Sequence, residues 1–184
     1  EKSMIRIAVT GPESTGKSEM SKRLAEHFGG VYVAEFARTY LERYGPNYER
    51  ETVEYIAGRQ NELLNQTFPE QTKLVVFDTD LLVCQIWMEH VFGACPTWIQ
   101  EAAAADSFDL TLLMQIDLPW EDDPLREHPR ERETLFTKYQ IALLTSGRKF
   151  ECVEGIGEAR FENALKVISK HFQLHAEHKR RSGV

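Results

Sequence analysis

The sequence predicts an α/β fold in which helices cover both faces of a mostly parallel five-stranded sheet. Apolar runs and helical patterns alternate along the 184 residues, which is the order of elements typical of such sheets. The runs at 74–78 and 110–116 are almost continuously apolar, as strands covered on both faces are. A helix between consecutive strands forms a right-handed crossover, which keeps the strands parallel.

Five strands and seven helices are expected. The strands cover residues 5–10, 31–34, 74–78, 110–116 and 150–153, and we expect the spatial order 2-3-1-4-5. The helices follow from apolar residues that recur on one face, and glycine or proline residues end most of them. One domain over residues 4–172 accounts for these elements, and a basic, frayed tail over 173–184 has no periodicity.

Composition excludes several classes of protein. The 22 basic and 29 acidic residues give a net charge of −7, which argues against a general nucleic-acid binder with a basic surface. No apolar run approaches the roughly 20 residues of a membrane-spanning helix, and no signal peptide is recognisable. The three cysteines form neither a disulfide framework nor a CxxC metal pair. We therefore expect a soluble, cytoplasmic protein without a membrane or nucleic-acid partner.

Residues 11–18 match the phosphate-binding pattern GxxxxGK[ST] in full. A buried strand precedes the segment and an amphipathic helix follows it, which is the context that the pattern requires. Backbone N–H groups of such a turn and the N-terminus of the helix attract phosphates. Lys17 can reach the β- and γ-phosphates of ATP, and the Ser18 hydroxyl can bind Mg²⁺. We expect a P-loop NTPase fold whose nucleotide-binding residues include Gly11, Glu13, Ser14, Thr15, Gly16, Lys17 and Ser18.

Two aspartates lie at the end of the third predicted strand, Asp78 as its last residue and Asp80 two residues later. Asp78 fits the carboxylate that supports Mg²⁺ beside a P-loop, although a solvated carboxylate at a strand end would show the same pattern. Asp80 has two equally good interpretations, because it can cap the following helix or face the acceptor substrate. The sequence leaves both interpretations open.

A P-loop is compatible with a GTPase switch, an ATPase or a small-molecule kinase. A GTPase requires the guanine-reading tetrapeptide Asn-Lys-x-Asp, which does not occur in the sequence. The DxxG switch element is also missing, since Thr79, Asp80 and Leu81 follow Asp78. These observations favour a kinase over a switch.

Residues 117–130 contain three prolines and predict a polar loop after the fourth strand. A kinase needs a mobile cover that excludes water, and this loop is a candidate for that lid. Arg126, Arg130 and Arg132 lie in or beside it and can neutralise charge on the transferring phosphoryl group, with Arg126 as the best candidate. A solvated charged loop is the alternative, because acidic residues neighbour these arginines.

The acceptor hydroxyl needs a carboxylate as a base or an orienting group. Glu35 follows the short second strand at the sheet edge where ligands bind, and Arg38 lies about one turn later on the same helix face. A surface Glu–Arg pair would show the same spacing. Trp87, about two helical turns after the acidic strand end, is either a packing residue or a wall of the acceptor site.

Four segments together resemble a known family. Gly-Pro-Glu-Ser-Thr-Gly-Lys-Ser, Ala-Glu-Phe-Ala-Arg, Phe-Asp-Thr-Asp and Trp-Glu-Asp-Asp-Pro-Leu-Arg occur in this order within residues 4–172. They resemble the ribosylnicotinamide kinase domain of the bacterial NAD-biosynthesis regulator and the related stand-alone P-loop kinases. The first and last segments are far more specific than a bare phosphate-loop pattern.

The resemblance implies that ATP and Mg²⁺ are used to phosphorylate the 5′-hydroxyl of nicotinamide riboside, giving nicotinamide mononucleotide. By match to the family, phosphates and Mg²⁺ are held by Gly16, Lys17 and Ser18. The acceptor and the metal are surrounded by Glu35, Arg38, Asp78 and Asp80. The lid includes Trp120, Asp122, Asp123 and Arg126. Catalytic roles then fall to Lys17, Glu35 or Asp80, and Arg126.

The family's regulator also carries a DNA-binding segment and a nucleotidyl-transfer domain. Neither fits within 184 residues, and no His-x-Gly-His signature is present, so we expect the chain as given neither to repress transcription nor to make NAD. Two alternatives to nicotinamide riboside kinase stay open. One is a kinase for another nucleoside or metabolite, and the other is a nucleotide-binding regulatory module with slow ATP hydrolysis.

Overall fold

Five parallel strands form one sheet in the computed structural model, which describes residues 4–176. The strands are β1 (Ile5–Thr10), β2 (Val31–Val33), β3 (Leu74–Asp78), β4 (Leu110–Met114) and β5 (Phe150–Val153). Hydrogen bonds order them β2-β3-β1-β4-β5, and each pairing is parallel. The predicted class and strand order are confirmed.

Seven helices within the described range cover both faces of this sheet. They are α1 (Lys17–Phe28), α2 (Phe36–Tyr44), α3 (Arg50–Leu64), α4 (Leu81–Phe92), α5 (Thr97–Ala105), α6 (Arg132–Ser146) and α7 (Glu158–His171). Helices α1 and α7 pack on one face. On the other face, α3, α4 and α5 pack in one cluster and α4 and α6 in another. The result is the predicted three-layer architecture.

Alternate residues of β3 point into opposite layers, as side chains on a strand do. Val76 packs with α1 and α7, whereas Val75 and Phe77 pack with α3, α4 and α5. All five residues of β3 are buried, which explains the continuously apolar run in the sequence. Asp78, the final residue of β3, lies at the carboxyl edge of the sheet.

Strands β2 and β4 are shorter than predicted. β2 ends at Val33, one residue early, and β4 ends at Met114 rather than at residue 116. The guanidinium group of Arg160 donates to the carbonyl oxygen of Gln115 at 2.7 Å. This hydrogen bond pairs the first carbonyl group after β4 with a side chain instead of a strand, at the point where the chain leaves the sheet.

Residues 117–130 contain no helix or strand, as the prolines predicted. Of the predicted tail, residues 173–176 are irregular, and Leu174 packs against the cluster between the sheet and α7. The Lys-Arg-Arg cluster at 179–181 lies outside the described residues. Across residues 4–176, no helix combines the length and apolarity needed to cross a bilayer.

Candidate active site

The loop at residues 11–18 connects β1 to α1 and closes on itself through short hydrogen bonds. The Thr15 hydroxyl and the Lys17 ammonium both donate to the carbonyl oxygen of Pro12, at 2.8 and 2.9 Å. Gly16 caps α1 with a φ of 76°, a conformation that glycine adopts without steric cost. Lys17 therefore lies across the loop, where its charge is available to a bound phosphate.

A buried arginine that the sequence analysis missed supports this loop from below. Arg160 on α7 is 4% exposed, and its Nη2 donates to the carbonyl oxygens of Thr15 and Gln115 at 2.9 and 2.7 Å. Its Nη1 is ion-paired with Asp117. Arginine is rarely buried without partners, and Arg160 finds them in the loop. Because Arg160 lies 145 residues after Thr15 in the sequence, no local sequence pattern marks it as a loop contact.

Asp78 lies directly beside the phosphate loop. The Ser18 hydroxyl donates to its Oδ2 at 2.5 Å, and the Tyr32 hydroxyl donates to the same oxygen at 3.2 Å. Its second oxygen, Oδ1, is buried without a hydrogen-bond partner among the described residues. A buried carboxylate oxygen is costly to leave unpaired, and carboxylate and hydroxyl oxygens are the donors that Mg²⁺ prefers. Ser18 and Asp78 therefore fit the magnesium role predicted for them.

Glu35 lies at the N-terminus of α2, with its side chain on the same cavity as Asp78. Burial, and then repulsion from the Asp78 carboxylate, raises the pKa of Glu35 to about 7, while the Lys17 ammonium acts in the opposite direction. The Gln60 side chain accepts a hydrogen bond from the backbone N–H of Phe36 at 2.8 Å, which fixes the start of the helix. The Glu35 carboxyl group can thus take up or release a proton near neutral pH.

One cavity of about 910 Å³ connects the phosphate loop to these groups. From the loop it passes Glu35 and extends to an aromatic wall formed by Tyr48 and Trp87, whose rings meet edge-to-face at 4.8 Å. Most of the sequence-predicted site residues line it, namely Gly11, Glu13, Ser14, Thr15, Gly16, Lys17, Ser18, Glu35, Arg38, Asp78, Trp87 and Arg126. The structure thus brings together residues from both ends of the predicted site.

Asp80 lies at the N-terminus of α4, away from the cavity, so its position matches the capping alternative and not the acceptor-facing one. It is fully buried, ion-paired with Arg148, and accepts a hydrogen bond from the Thr10 hydroxyl at 3.2 Å. It occupies the N-cap position of α4, but its side chain makes no capping hydrogen bond, and it is not among the cavity-lining residues. Asp80 is therefore a structural partner of Arg148, because a buried carboxylate requires a compensating charge.

The backbone between the two aspartates has an unusual conformation. Thr79 has a φ of 77°, which is rare and strained for a β-branched residue. Its N–H donates to the carbonyl oxygen of Val9 at 3.0 Å, which holds this turn against β1. The two carboxylates on either side of Thr79 consequently have different environments, Asp78 at the cavity and Asp80 in the interior.

The 117–130 loop lies over the phosphate loop. Arg126 Nη1 donates to the Ser14 hydroxyl at 3.2 Å, and the Glu13 carboxylate accepts the backbone N–H groups of Glu127 and His128, each at 3.2 Å. Arg38 on α2 forms an ion pair with Asp123 at 2.7 Å. These contacts join the loop to the nucleotide side and to the acceptor side of the cavity.

Two predicted loop residues lie away from the cavity. Arg130 is exposed, and neither Arg130 nor Trp120 is among the lining residues. The Trp120 indole donates to Asp122 at 3.2 Å, and the Arg132 guanidinium lies 5.8 Å from the centre of its ring. Arg132 itself donates to backbone carbonyls of Ser14 and Leu118. Arg130 therefore lies outside the lining of the cavity, and Trp120 packs within the loop.

Tyr48, His90 and His128 line the cavity as well, and the sequence analysis missed all three. The Tyr48 hydroxyl donates to the Glu127 carboxylate, so it joins the segment before α3 to the 117–130 loop. The only local signal for Tyr48 is its place just after the Gly45-Pro46-Asn47 turn, which predicts a loop but not a ligand-facing ring.

Comparison with known proteins places this geometry in a family. A model of the AAA domain family matches residues 6–160. The chain belongs to this family. The AAA domain is 27% identical over 124 residues to the trifunctional NAD biosynthesis/regulator protein NadR of Escherichia coli (strain K12). That match covers 65% of the chain and 30% of the length of the relative.

Solved structures share the fold of this AAA domain. A crystal structure of NadR in complex with NR superimposes with a TM-score of 0.79, at 18% identity, over 96% of the chain and 52% of NadR. A NadR complex with NAD and AMP-PNP gives a TM-score of 0.73, at 18% identity, over 92% of the chain and 49% of NadR. Deoxyadenosine kinase from M. mycoides gives a TM-score of 0.65, at 16% identity, over 90% of this chain and 99% of the kinase chain. The chain shares its fold with these three structures, and the resemblance to the NAD-biosynthesis regulator predicted from the four segments is confirmed.

Proposed function

We propose that this AAA domain transfers the γ-phosphoryl group of ATP to the hydroxyl group of a nucleoside, and that nicotinamide riboside is its acceptor. One observation carries the proposal. Lys17, the Ser18–Asp78 pair and Glu35 line a single cavity that continues to an aromatic wall. The cavity thus presents four features in the order that phosphoryl transfer to a nucleoside requires: a phosphate site, a metal site, a carboxyl group and a surface for a ring.

The nucleotide end is assigned to the phosphate loop. Backbone N–H groups at the start of α1 bind the phosphates, and Lys17 leaves the Pro12 carbonyl to contact the β- and γ-phosphates. Ser18 and Asp78 would hold Mg²⁺, which would supply positive charge to neutralise the phosphate oxygens. A NadR structure that holds AMP-PNP supports ATP as the nucleotide.

At the acceptor end, Glu35 orients the hydroxyl group and accepts its proton as the new bond from the hydroxyl oxygen to the γ-phosphorus forms. The bond between the γ-phosphorus and the bridging oxygen of the β-phosphate breaks in the same step, and ADP is the leaving group. The buried position that raises the pKa of Glu35 to about 7 makes it a stronger base than an exposed carboxylate. A general base performs best when its pKa lies near the working pH. We assign this role to Glu35 and not to Asp80, because the Asp80 carboxylate is paired with Arg148 in the interior.

The acceptor side of the cavity suits a cationic ring without a phosphate group. Tyr48 and Trp87 provide aromatic faces that attract a cation, and the carboxylates of Glu35 and Glu127 line the same cavity. Arg38 is already ion-paired with Asp123 and Glu42, which disfavours its use as a phosphate receptor. The NadR complex with NR supports a nucleoside with a pyridinium ring.

The 117–130 loop is assigned the role of a lid. Its Arg126 lies at the phosphate loop through the Ser14 contact, where a guanidinium group can stabilise charge on the transferring phosphoryl group. The ion pair between Arg38 and Asp123 joins the lid to α2, whose N-cap residue is Glu35. Acceptor binding beside Glu35 is thereby connected to closure over ATP, which excludes water from the reaction.

ADP release from Mg-ATP, measured with and without nicotinamide riboside, tests the proposal. We expect slow turnover with ATP alone and strong stimulation by nicotinamide riboside, with nicotinamide mononucleotide as the product detected by mass spectrometry. A panel of neutral nucleosides is the comparison, because aromatic walls also accept neutral bases. Stimulation by one of these alone would replace the acceptor and keep the kinase. ATP binding without stimulation by any acceptor would contradict the kinase proposal.

A further inference from the structure

Three potential metal ligands meet where the 117–130 loop contacts α4. They are His90 near the end of α4, His128 in the loop, and Glu131 immediately before α6. The Glu131 Oε2 atom lies 3.2 Å from His90 Nε2 and 2.8 Å from His128 Nδ1. The phosphoryl-transfer mechanism proposed above uses none of these side chains.

We propose that His90, His128 and Glu131 form a binding site for a divalent transition-metal ion, with Zn²⁺ as the ion that fits best. Two imidazoles and one carboxylate are a donor set that zinc uses in sites with an open fourth position. Imidazole ligands select zinc and its neighbours over Mg²⁺, which prefers oxygen ligands. The site therefore differs in chemistry from the oxygen pair of Ser18 and Asp78.

The distances agree with this assignment. Ligand atoms about 2.0–2.1 Å from a tetrahedral zinc ion are about 3.3 Å from one another. The two measured separations from Glu131 Oε2, 3.2 and 2.8 Å, are close to that value, and all three ligand atoms lie within 4.8 Å of one another. The two imidazole nitrogens, which lie within 4.8 Å of each other, must approach to about 3.3 Å when the ion binds.

Access and burial also favour a bound ion. The side chains of His90 and His128 are 12% and 21% exposed, whereas that of Glu131 is 49% exposed. An ion can thus enter from the solvent side along Glu131 and be held by two mostly buried imidazoles. Both histidines line the cavity, so the open position of the metal is available to water or to a ligand there.

One neighbour opposes metal binding. The Lys138 ammonium lies 3.0 Å from His90 Nδ1, and this contact requires a lone pair on Nδ1. Coordination through Nε2 needs the other tautomer, with the hydrogen on Nδ1, so Lys138 must turn away when the ion binds. A positive charge so close also repels the ion. Removing Lys138 should therefore strengthen binding, whereas a simple hydrogen-bonded contact between loop and helix would gain no zinc affinity from that change.

Binding has a consequence for the loop. His128 is already fixed to the phosphate loop, because its backbone N–H donates to the Glu13 carboxylate at 3.2 Å. An ion shared by His90 and His128 would fasten the 117–130 loop to α4 as well. Zinc should then slow amide hydrogen exchange in this loop, a readout that needs neither ATP nor an acceptor.

Calorimetric titration of the chelator-treated full chain with ZnCl₂, without nucleotide, tests the site. We expect one equivalent to bind, and His90→Gln or His128→Gln to lower the affinity more than about tenfold. The matched control is His171→Gln, since His171 is paired with Glu151 alone at 3.0 Å and belongs to no three-ligand group among the described residues. Lys138→Met should raise the affinity and leave the fold intact, which keeps the test valid if a histidine variant unfolds.

Equal zinc affinity for the parent chain and both folded histidine variants would overturn the proposal. Cys152 is a half-buried free cysteine on β5. Loss of zinc binding in Cys152→Ser, with the histidine variants unchanged, would also overturn the proposal, because a thiolate would then be the ligand. An unchanged or lower affinity in Lys138→Met would also contradict it. All of these measurements omit ATP and acceptor, so failure of the zinc site and failure of the kinase proposal are distinguishable.

Discussion

The two ends of the cavity are built in different ways. The phosphate end is a single stretch, residues 11–18, whose turn is closed by hydrogen bonds to one carbonyl, that of Pro12. The acceptor end combines Glu35, Tyr48 and Trp87 with the 117–130 loop. A contiguous site can be recognised from local sequence, whereas an assembled site depends on packing between distant elements. This difference explains why the sequence marked residues 11–18 as a unit but did not mark Tyr48 as part of the cavity.

The largest expected effect is at the phosphate end. Lys17→Ala should reduce phosphoryl transfer by at least about 1,000-fold, because it removes the charge that faces the β- and γ-phosphates. Steady-state ADP release measures this loss. Lys170→Ala, an exposed lysine on α7, is the control and should keep full activity. Substantial activity in Lys17→Ala would show that residues 11–18 are not the phosphate site.

A variant of Asp80 tests whether this residue stabilises the fold or binds the acceptor. Asp80→Asn should lower the free energy of unfolding by about 2 kcal/mol, because it removes one of the two carboxylates that pair with the mostly buried Arg148 guanidinium and leaves only Asp106, at 3.5 Å. Denaturant unfolding measures the change, and the double variant Asp80→Asn with Arg148→Met should recover part of it. A stable Asp80→Asn variant with impaired acceptor binding would return Asp80 to the acceptor site.

Glu35→Gln should lower kcat by about 100-fold while ATP binding stays unchanged, since the amide cannot accept the hydroxyl proton. In the parent chain the rate should rise with pH and level off above about pH 7, because the base acts in its deprotonated form and its pKa is raised to about 7. The Glu35→Gln variant should lack this pH dependence. Glu62→Gln, which changes a surface ion pair with Arg59, serves as the control.

The smallest effect distinguishes two arginines of the lid. Arg126→Ala should lower kcat by about tenfold or more, because Arg126 contacts the phosphate loop at Ser14. Arg130→Ala should leave kcat unchanged, since Arg130 is exposed and lies away from the cavity. Equal losses in the two variants would mean that the loop closes in a different arrangement when substrates bind.

Sequence patterns predicted the fold more completely than they predicted the site. The buried strands and amphipathic helices gave the correct class and strand order, because alternating elements with right-handed crossovers allow few topologies. Asp78 and Asp80 show the limit of such reasoning. They are two residues apart and chemically identical, yet one lies at the cavity and the other is paired with Arg148.

The sequence by itself determined the α/β class, the phosphate loop and the family resemblance, since each is encoded in residues that are close along the chain. Only the tertiary structure decided which carboxylates face the cavity, that Arg160 supports the loop, and that His90 meets His128 and Glu131. The physical reason is that local sequence fixes backbone conformation, whereas the environment of a charged side chain depends on partners that folding brings from distant segments.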